Sequence, residues 1–162
     1  MSDDELLERL LHEARKSDCA KLKFGAAALQ NGRICGLGFN HNPLSDPSWL
    51  CATDCVGGIR AGVKSGTCVE RCFAVHAEQH ALLHAFGSPD EIAVAGLLPD
   101  GALFDNGGGF YCTVCARFMV AAGISVVSIW SGGKRKRLSI HEAWAQSYGL
   151  LGVKCLPCNP SR

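Results

Sequence analysis

The stretch ISVVSIW at residues 124–130 decides the fold of this 162-residue chain. It is a nearly continuous run of apolar, mostly β-branched residues, which is typical of a strand buried on both faces of a sheet. A strand of this kind needs helices on both faces of its sheet. The stretch therefore predicts a layered α/β protein.

The segments around this strand fit the same architecture. Helical patterns flank it at residues 116–122, where Gly123 ends the pattern, and at residues 141–148. Two apolar runs with Asn31-Gly32 between them predict an antiparallel hairpin. Other predicted elements are helices at 4–16 and 73–86 and strands at 24–29, 33–39, 92–98 and 102–104. We expect a three-layer α/β/α fold whose mixed sheet has about five strands.

A single domain is expected over residues 1–150, because this length and an apolar content of 48% suffice for one core. Residues 41–72 are rich in Gly, Pro, Ser, Asp and Cys and lack periodicity. A loop this long in a compact domain needs something to order it, so we interpret it as a cysteine-rich insertion. Residues 151–162 form a C-terminal tail.

The charge pattern favours a small substrate over a large charged partner. The formal net charge is +1, so no overall field attracts nucleic acid or lipid. The first residues lack the basic start and apolar run of a secretion signal, and no stretch approaches about 18 uninterrupted apolar residues. We expect a cytoplasmic protein that does not enter a membrane.

Ten cysteines in a chain of this length indicate either disulfides or metal binding. Several of them fall in close pairs, at a spacing that chelates zinc. In a reducing compartment the thiols stay free to bind metal. Metal binding is therefore the better interpretation.

The candidate catalytic centre combines a His-x-Glu pattern, His76 and Glu78, with a Cys-x-x-Cys pattern, Cys112 and Cys115. One histidine and two cysteines leave the fourth zinc position open, and the metal lowers the pKa of a water bound there to about 7. Glu78 is too near His76 in sequence to complete the set but is well placed to move protons. The alternatives are a buried histidine and a structural zinc.

Four stretches carry a resemblance to the cytidine and deoxycytidylate deaminase superfamily, whose members share the His-x-Glu and Cys-x-x-Cys patterns. They are FGAAA (24–28), GLGFN (36–40), SGTCVERCFAVHAEQ (65–79) and AAGI (121–124). The third is similar to microbial deoxycytidylate deaminases. The resemblance implies a zinc-dependent hydrolase of cytidine-deaminase-like fold that converts dCMP to dUMP, and a homo-oligomer.

The resemblance also implies substrate contacts. Asn40 is expected to hydrogen-bond the sugar or ring. Apart from the resemblance, Ala77 and Thr113 are expected to shape the base pocket because they lie at the two predicted helix starts. Tyr111 stands where the family has the proline of Pro-Cys-x-x-Cys, and a glycine-rich loop leads into it. His80 replaces a family asparagine. These departures bear on the choice of substrate.

A second, structural zinc is predicted in the insertion, held by Cys51, Cys55, Cys68 and Cys72. The resemblance supports such a site in deoxycytidylate deaminases. The alternative is that these cysteines are reduced and pack as small apolar residues. His80 or His84 are candidates to replace one thiolate. Cys155 and Cys158 in the tail are either further ligands or part of a disordered end.

Three functions remain open from the sequence. The first is deamination of a free cytosine nucleotide or nucleoside. The second is deamination of cytosine or adenine in single-stranded nucleic acid, for which the basic run at residues 134–137 is the feature in favour, although such runs are typical of a solvated turn. The third is a non-catalytic, zinc-stabilised binding module, which would not require Glu78.

Overall fold

A mixed sheet forms the centre of the computed structural model, which describes residues 1–44, Cys72 and residues 74–150. Its strands run in the order β2-β1-β3-β5-β6, with β4 pairing β3, and β3 and β5 are parallel neighbours. The strands are β1 (Lys23–Gln30), β2 (Arg33–Phe39), β3 (Glu91–Leu97), β4 (Leu103–Phe104), β5 (Val126–Ser131) and β6 (Lys134–Ser139). Most of the predicted insertion and all of the predicted tail lie outside the described residues.

The hairpin of β1 and β2 confirms the sequence prediction. Its turn is Asn31-Gly32, with φ of 51° and 73°. Both residues are in the left-handed region, which is the backbone of the two-residue turn that matches strand twist. Gln30 pairs with Arg33 across the turn.

Helices cover both faces of the sheet, so the predicted three layers are confirmed. They are α1 (Asp3–Ala14), α2 (Ala77–Leu83), α3 (Thr113–Ala121) and α4 (Ile140–Leu150). Helix α1 packs its Leu6 and Leu10 on one face, against alternate residues of β1 and β3. Helices α2, α3 and α4 contribute to a second apolar cluster on the other face. Within the described ranges, no helix is long and apolar enough to cross a bilayer.

Two glycines let α2 lie directly on the sheet. A Cβ atom at Gly38 would lie 2.2 Å from the backbone nitrogen of Ala81, and one at Gly36 would lie 2.4 Å from its carbonyl oxygen. These separations are impossible for a real side chain. The absence of side chains at both positions therefore sets the distance between helix and sheet.

The basic run at residues 134–137 is not a solvated turn, so this prediction was wrong. The run begins β6, which pairs antiparallel with β5 at the edge of the sheet. Arg135 and Arg137 both bind the Glu91 carboxylate of β3. Lys136 Nζ donates to the carbonyl of Gly108 at 2.6 Å. Arg135, Lys136 and Arg137 thus have partners within the protein itself, and Glu91 offsets part of the positive charge that a nucleic-acid track would need.

Helix α2 is shorter than the helix predicted at residues 73–86. It begins after His76, because Val75 is held extended in a bridge with His41. At its other end, Leu83 is 67% exposed and Phe86 is 74% exposed. The buried side of the helix is carried by its alanines and Glu78.

Candidate metal centre

His76 is the residue that caps the start of α2. Backbone bonds between His41 and Val75, at 3.1 and 2.9 Å, hold the preceding residue in place. The His76 amide donates to Gln79 Oε1 at 3.1 Å. This bond provides an acceptor for a backbone N–H that has none within the helix at a helix start. The imidazole is consequently fixed at the edge of the buried layer between α2 and α3.

Cys112 has the same position on α3 that His76 has on α2. Its Sγ accepts from the Cys115 amide at 3.2 Å and caps the helix. Because Cys115 follows Cys112 by three residues, about one helical turn, both side chains lie on the same side of α3. Cys115 is fully buried and Cys112 is half-buried. Two helix starts therefore supply all three predicted ligands of the catalytic zinc.

The three ligand atoms are close together. His76 Nδ1 lies 3.1 Å from Cys115 Sγ and 3.2 Å from Cys112 Sγ, and the two sulfurs are 2.8 Å apart. Among the residues that the structure describes, these form the one group of three histidine, cysteine or acidic ligand atoms that all lie within 4.8 Å of one another.

The donor set suits a zinc ion. A hydrogen bond from Cys115 and the nearby His76 lower the pKa of Cys112 to about 5, so this sulfur readily becomes a thiolate. Burial alone would lower the pKa of His76, but hydrogen bonds with Cys112 and Cys72 outweigh it and raise the pKa to about 11. One nitrogen and two sulfurs of this kind are zinc ligands.

Glu78 lies beside this set. Its side chain is buried, with 7% of the residue exposed, and its carboxyl forms a hydrogen bond with the Cys115 sulfur. Burial, together with the negative charge of Cys112, raises the pKa of Glu78 above its ordinary value. The carboxyl therefore accepts a proton more readily than one in water, which is the property that a proton carrier needs.

Cys72 is also near the centre. Its half-buried thiol forms a hydrogen bond with His76, and this bond lowers the pKa of Cys72. The sequence assigns Cys72 to the second zinc, whose other predicted ligands, Cys51, Cys55 and Cys68, lie outside the described residues. That site stays a prediction.

The predicted substrate residues occupy different surroundings. Ala77 and Thr113 are buried at the two helix starts. The buried Asn40 side chain accepts from the Phe24 amide at 2.7 Å and donates to the Leu22 carbonyl at 2.9 Å, so it fixes the start of β1. The Tyr111 ring is half-buried and lies over Gly109, where a Cβ would be 2.2 Å from its hydroxyl.

A set of anchors holds the glycine-rich loop before Cys112, and the sequence analysis did not find it. The bonds are Gly132 N to Asp105 Oδ2 (2.9 Å), Lys136 Nζ to Gly108 O (2.6 Å), Phe110 N to Gln146 Oε1 (2.9 Å) and Ser147 Oγ to Phe110 O (3.3 Å). All of these partners come from β5, β6, their turn or α4. The C-terminal elements thus fix the segment that delivers Cys112.

The class of protein is defined by this fold and this ligand set. Residues 1–131 match the family model described as the cytidine and deoxycytidylate deaminase zinc-binding region. The match covers most of the chain. This chain belongs to the cytidine and deoxycytidylate deaminase family, whose domain binds zinc.

Particular relatives agree with this assignment. A deoxycytidylate deaminase of Mycobacterium phage D29 is 35% identical over 72 residues, which are 44% of this chain and 56% of that protein. This chain thus matches little more than half of the relative's length.

Solved structures share the fold. A cytidine deaminase from Burkholderia pseudomallei superposes with a TM-score of 0.53 at 19% identity, covering 88% of this chain and 96% of that one. The dCMP deaminase of cyanophage S-TIM5, solved with dCMP and dUMP, gives a TM-score of 0.50 at 19% identity, covering 91% and 94%. Both likenesses concern the three-layer architecture.

Proposed function

We propose that this chain is a hydrolase that deaminates a cytosine nucleotide, converting dCMP and water to dUMP and ammonia. The observation that carries the proposal is the buried Glu78 carboxyl beside three converging ligand atoms. Family membership supports the reaction type. The phage relative named deoxycytidylate deaminase, and the cyanophage structure solved with dCMP and dUMP, support this substrate.

The residues have separate tasks in this proposal. His76, Cys112 and Cys115 hold a zinc ion, which supplies Lewis acidity and lowers the pKa of water. Glu78 takes one proton from the water that adds to C4 of the base and passes it to N3, and it then carries the proton of the new C4 hydroxyl to the amino group. The carbon–nitrogen bond then breaks, ammonia leaves and a carbonyl remains at C4. Ala77 and Thr113, small and buried at the helix starts, leave room for the flat base.

We also propose contacts for the rest of the nucleotide. Tyr111, which precedes the proposed ligand Cys112, would border the base pocket. The Asn40 amide already bonds the start of β1, yet its oxygen and nitrogen each have capacity for one further hydrogen bond. Asn40 would therefore offer a fixed polar group to the sugar or ring.

The second zinc and the assembly belong to the same proposal. A structural zinc on Cys51, Cys55, Cys68 and Cys72 would order the insertion beside His76, which Cys72 contacts. Elemental analysis should then find two zinc ions per chain. Cys51→Ser should lose one of them and keep the other. We further expect a cytoplasmic homo-oligomer, which sedimentation of the purified protein would test.

An ammonia-release assay tests the reaction and the substrate together. Zinc-loaded protein is supplied in parallel with dCMP, CMP, deoxycytidine, cytidine, cytosine and a cytosine-containing single strand. Turnover should be fastest with dCMP and should disappear in Glu78→Gln. Turnover of the strand alone would replace the proposed substrate. Equal activity in wild type and Glu78→Gln would contradict the mechanism.

A further inference from the structure

Three histidines form a cluster at the outer side of α2. The ring centroids of His41 and His80 are 4.3 Å apart, and those of His80 and His84 are 4.5 Å apart. Phe39 completes the cluster, with its ring 5.0 Å from His80 and 5.2 Å from His41. His41 and His80 are thus in direct contact.

Each imidazole has one nitrogen bound to the backbone. His41 Nδ1 and His80 Nδ1 each lie 3.1 Å from the Phe39 carbonyl oxygen, and His84 Nδ1 lies 2.9 Å from the His80 carbonyl oxygen. The Phe39 amide nitrogen also lies 3.1 Å from His80 Nδ1 and donates to it in the other tautomer. In the tautomer whose Nδ1–H donates to a carbonyl, Nε2 has the lone pair, and a cation at Nε2 selects that tautomer. This is the arrangement by which proteins orient histidines that bind metals.

The surroundings keep these lone pairs available. His84 is exposed, while His41 and His80 are half-buried. Burial, with the neighbouring His41 and His84 rings, lowers the pKa of His80, and the Glu13 charge opposes this only in part. Lys16 is also near the cluster, since its Nζ lies 6.0 Å from the centre of the Phe39 ring. At neutral pH the His80 ring is therefore uncharged and able to bind a cation.

We propose that His41, His80 and His84 form a surface site for a divalent transition-metal ion that prefers imidazole, such as Ni²⁺, Cu²⁺ or Zn²⁺. His80 and His84, one turn apart, bind the ion first through Nε2, and His41 rotates onto it. This rotation is needed because the one described group of three ligand atoms within 4.8 Å is that of His76, Cys112 and Cys115. The site is separate from that centre and does not depend on the proposed function.

Calorimetric titration of the zinc-loaded full chain with Ni²⁺ tests the site. We expect wild type to bind a further ion, and His84→Ala to weaken that binding by about 10-fold or more. Because His84 is exposed, this variant should fold normally. His80→Asn provides a second variant with the same expected loss. His12→Ala, which removes an exposed histidine of α1, is the matched control and should leave the affinity unchanged.

The absorption spectrum identifies the ligands of the added ion. Binding through imidazoles alone should give no thiolate-to-nickel charge-transfer band. Binding should also weaken as the pH falls below about 6.5, because protons compete for Nε2. The proposal is overturned if His84→Ala and His80→Asn bind Ni²⁺ as tightly as wild type. It is equally overturned if a thiolate band accompanies binding.

Discussion

Glu78 and Glu91 are both buried carboxylates, with 7% and 5% of each residue exposed, but they lie on opposite faces of the sheet. Glu91 accepts hydrogen bonds from the side chains of Ser128, Arg135 and Arg137. Glu78 instead has a thiol as its side-chain partner, and burial raises its pKa. One carboxylate is surrounded by positive charge, and the other is kept ready to take up a proton.

The difference separates structural burial from functional burial. A carboxylate with two guanidinium partners has its charge neutralised and its lone pairs filled, so it joins strands and has no capacity left for chemistry. A buried carboxyl without such partners is costly to ionise, and proteins retain such groups where a reaction needs them. Burial alone would not have distinguished the two glutamates.

The largest expected effect is the loss of turnover in Glu78→Gln. The amide keeps the shape of the side chain but cannot take up and release a proton, so kcat should fall by about 100- to 10,000-fold. Steady-state assays give kcat, and elemental analysis of the same samples should show that zinc is kept. A fall of less than about 10-fold would mean that Glu78 is as structural as Glu91.

Removal of the metal should affect one side of the sheet only. Chelation should destabilise the chain by about 4 kcal/mol if free zinc was about 1,000 times its dissociation constant. Amide hydrogen exchange should then speed up in α2 and α3, whose first residues hold the ligands. The amides of β5 and β6, which pair around the Glu91 cluster, should keep their protection. Equal loss of protection in both regions would show that the two faces unfold together.

Glu91→Gln is expected to lower stability and to leave turnover unchanged, which is the reverse of the effect expected for Glu78→Gln. Losing this charge leaves Arg135 without its buried partner, and the chain should lose about 2–3 kcal/mol of stability, since Arg137 is mostly exposed and can turn to solvent. Urea denaturation measures this, and kcat should stay within about twofold. Asp3→Asn is the control, because its bond to Arg135 is exposed and worth less than about 1 kcal/mol.

The smallest expected effect concerns pH and the histidines beside Phe39. Burial lowers the pKa of His80 in the folded chain below the unfolded value of about 6.5, so the unfolded chain binds the proton more readily. The stability from a neutral His80 is present above about pH 6.5 and is lost as the pH falls through that value. Wild type should therefore lose more stability than His80→Asn between about pH 7.5 and 5.5 in urea titrations without added metal. Parallel curves for the two proteins would count against this assignment.

Local sequence predicted the parts of the fold whose causes are local. The Asn31-Gly32 turn follows from nearby residues alone, and so does the buried strand predicted at residues 124–130, which the structure has as β5 at Val126–Ser131. The strand β6 does not, since its Arg135 is stabilised by a glutamate 44 positions away and its run of charges hides the strand alternation. The sequence of a charge run beside an apolar strand does not show which distant residue the charges will bind.

The candidate site divides in the same way. Residue type and spacing predicted His76, Cys112, Cys115 and Glu78 as one site, because zinc chemistry restricts both, and the structure brings these side chains together. Spacing could not show that the Asn40 amide is already bound to the backbone of Leu22 and Phe24. Nor could it show the contact of His41 with His80, since their bonds meet at Phe39 through the tertiary fold.

The close packing of α2 on Gly36 and Gly38 restricts which substitutions this protein can tolerate. Neither glycine belongs to the ligand set, yet any side chain there would push the helix that carries Glu78 away from the sheet. In saturation mutagenesis both positions should tolerate nothing but glycine, as strictly as the metal ligands themselves. Selection for a new substrate would have to change residues in the loops, because the two strand positions beneath α2 tolerate only glycine.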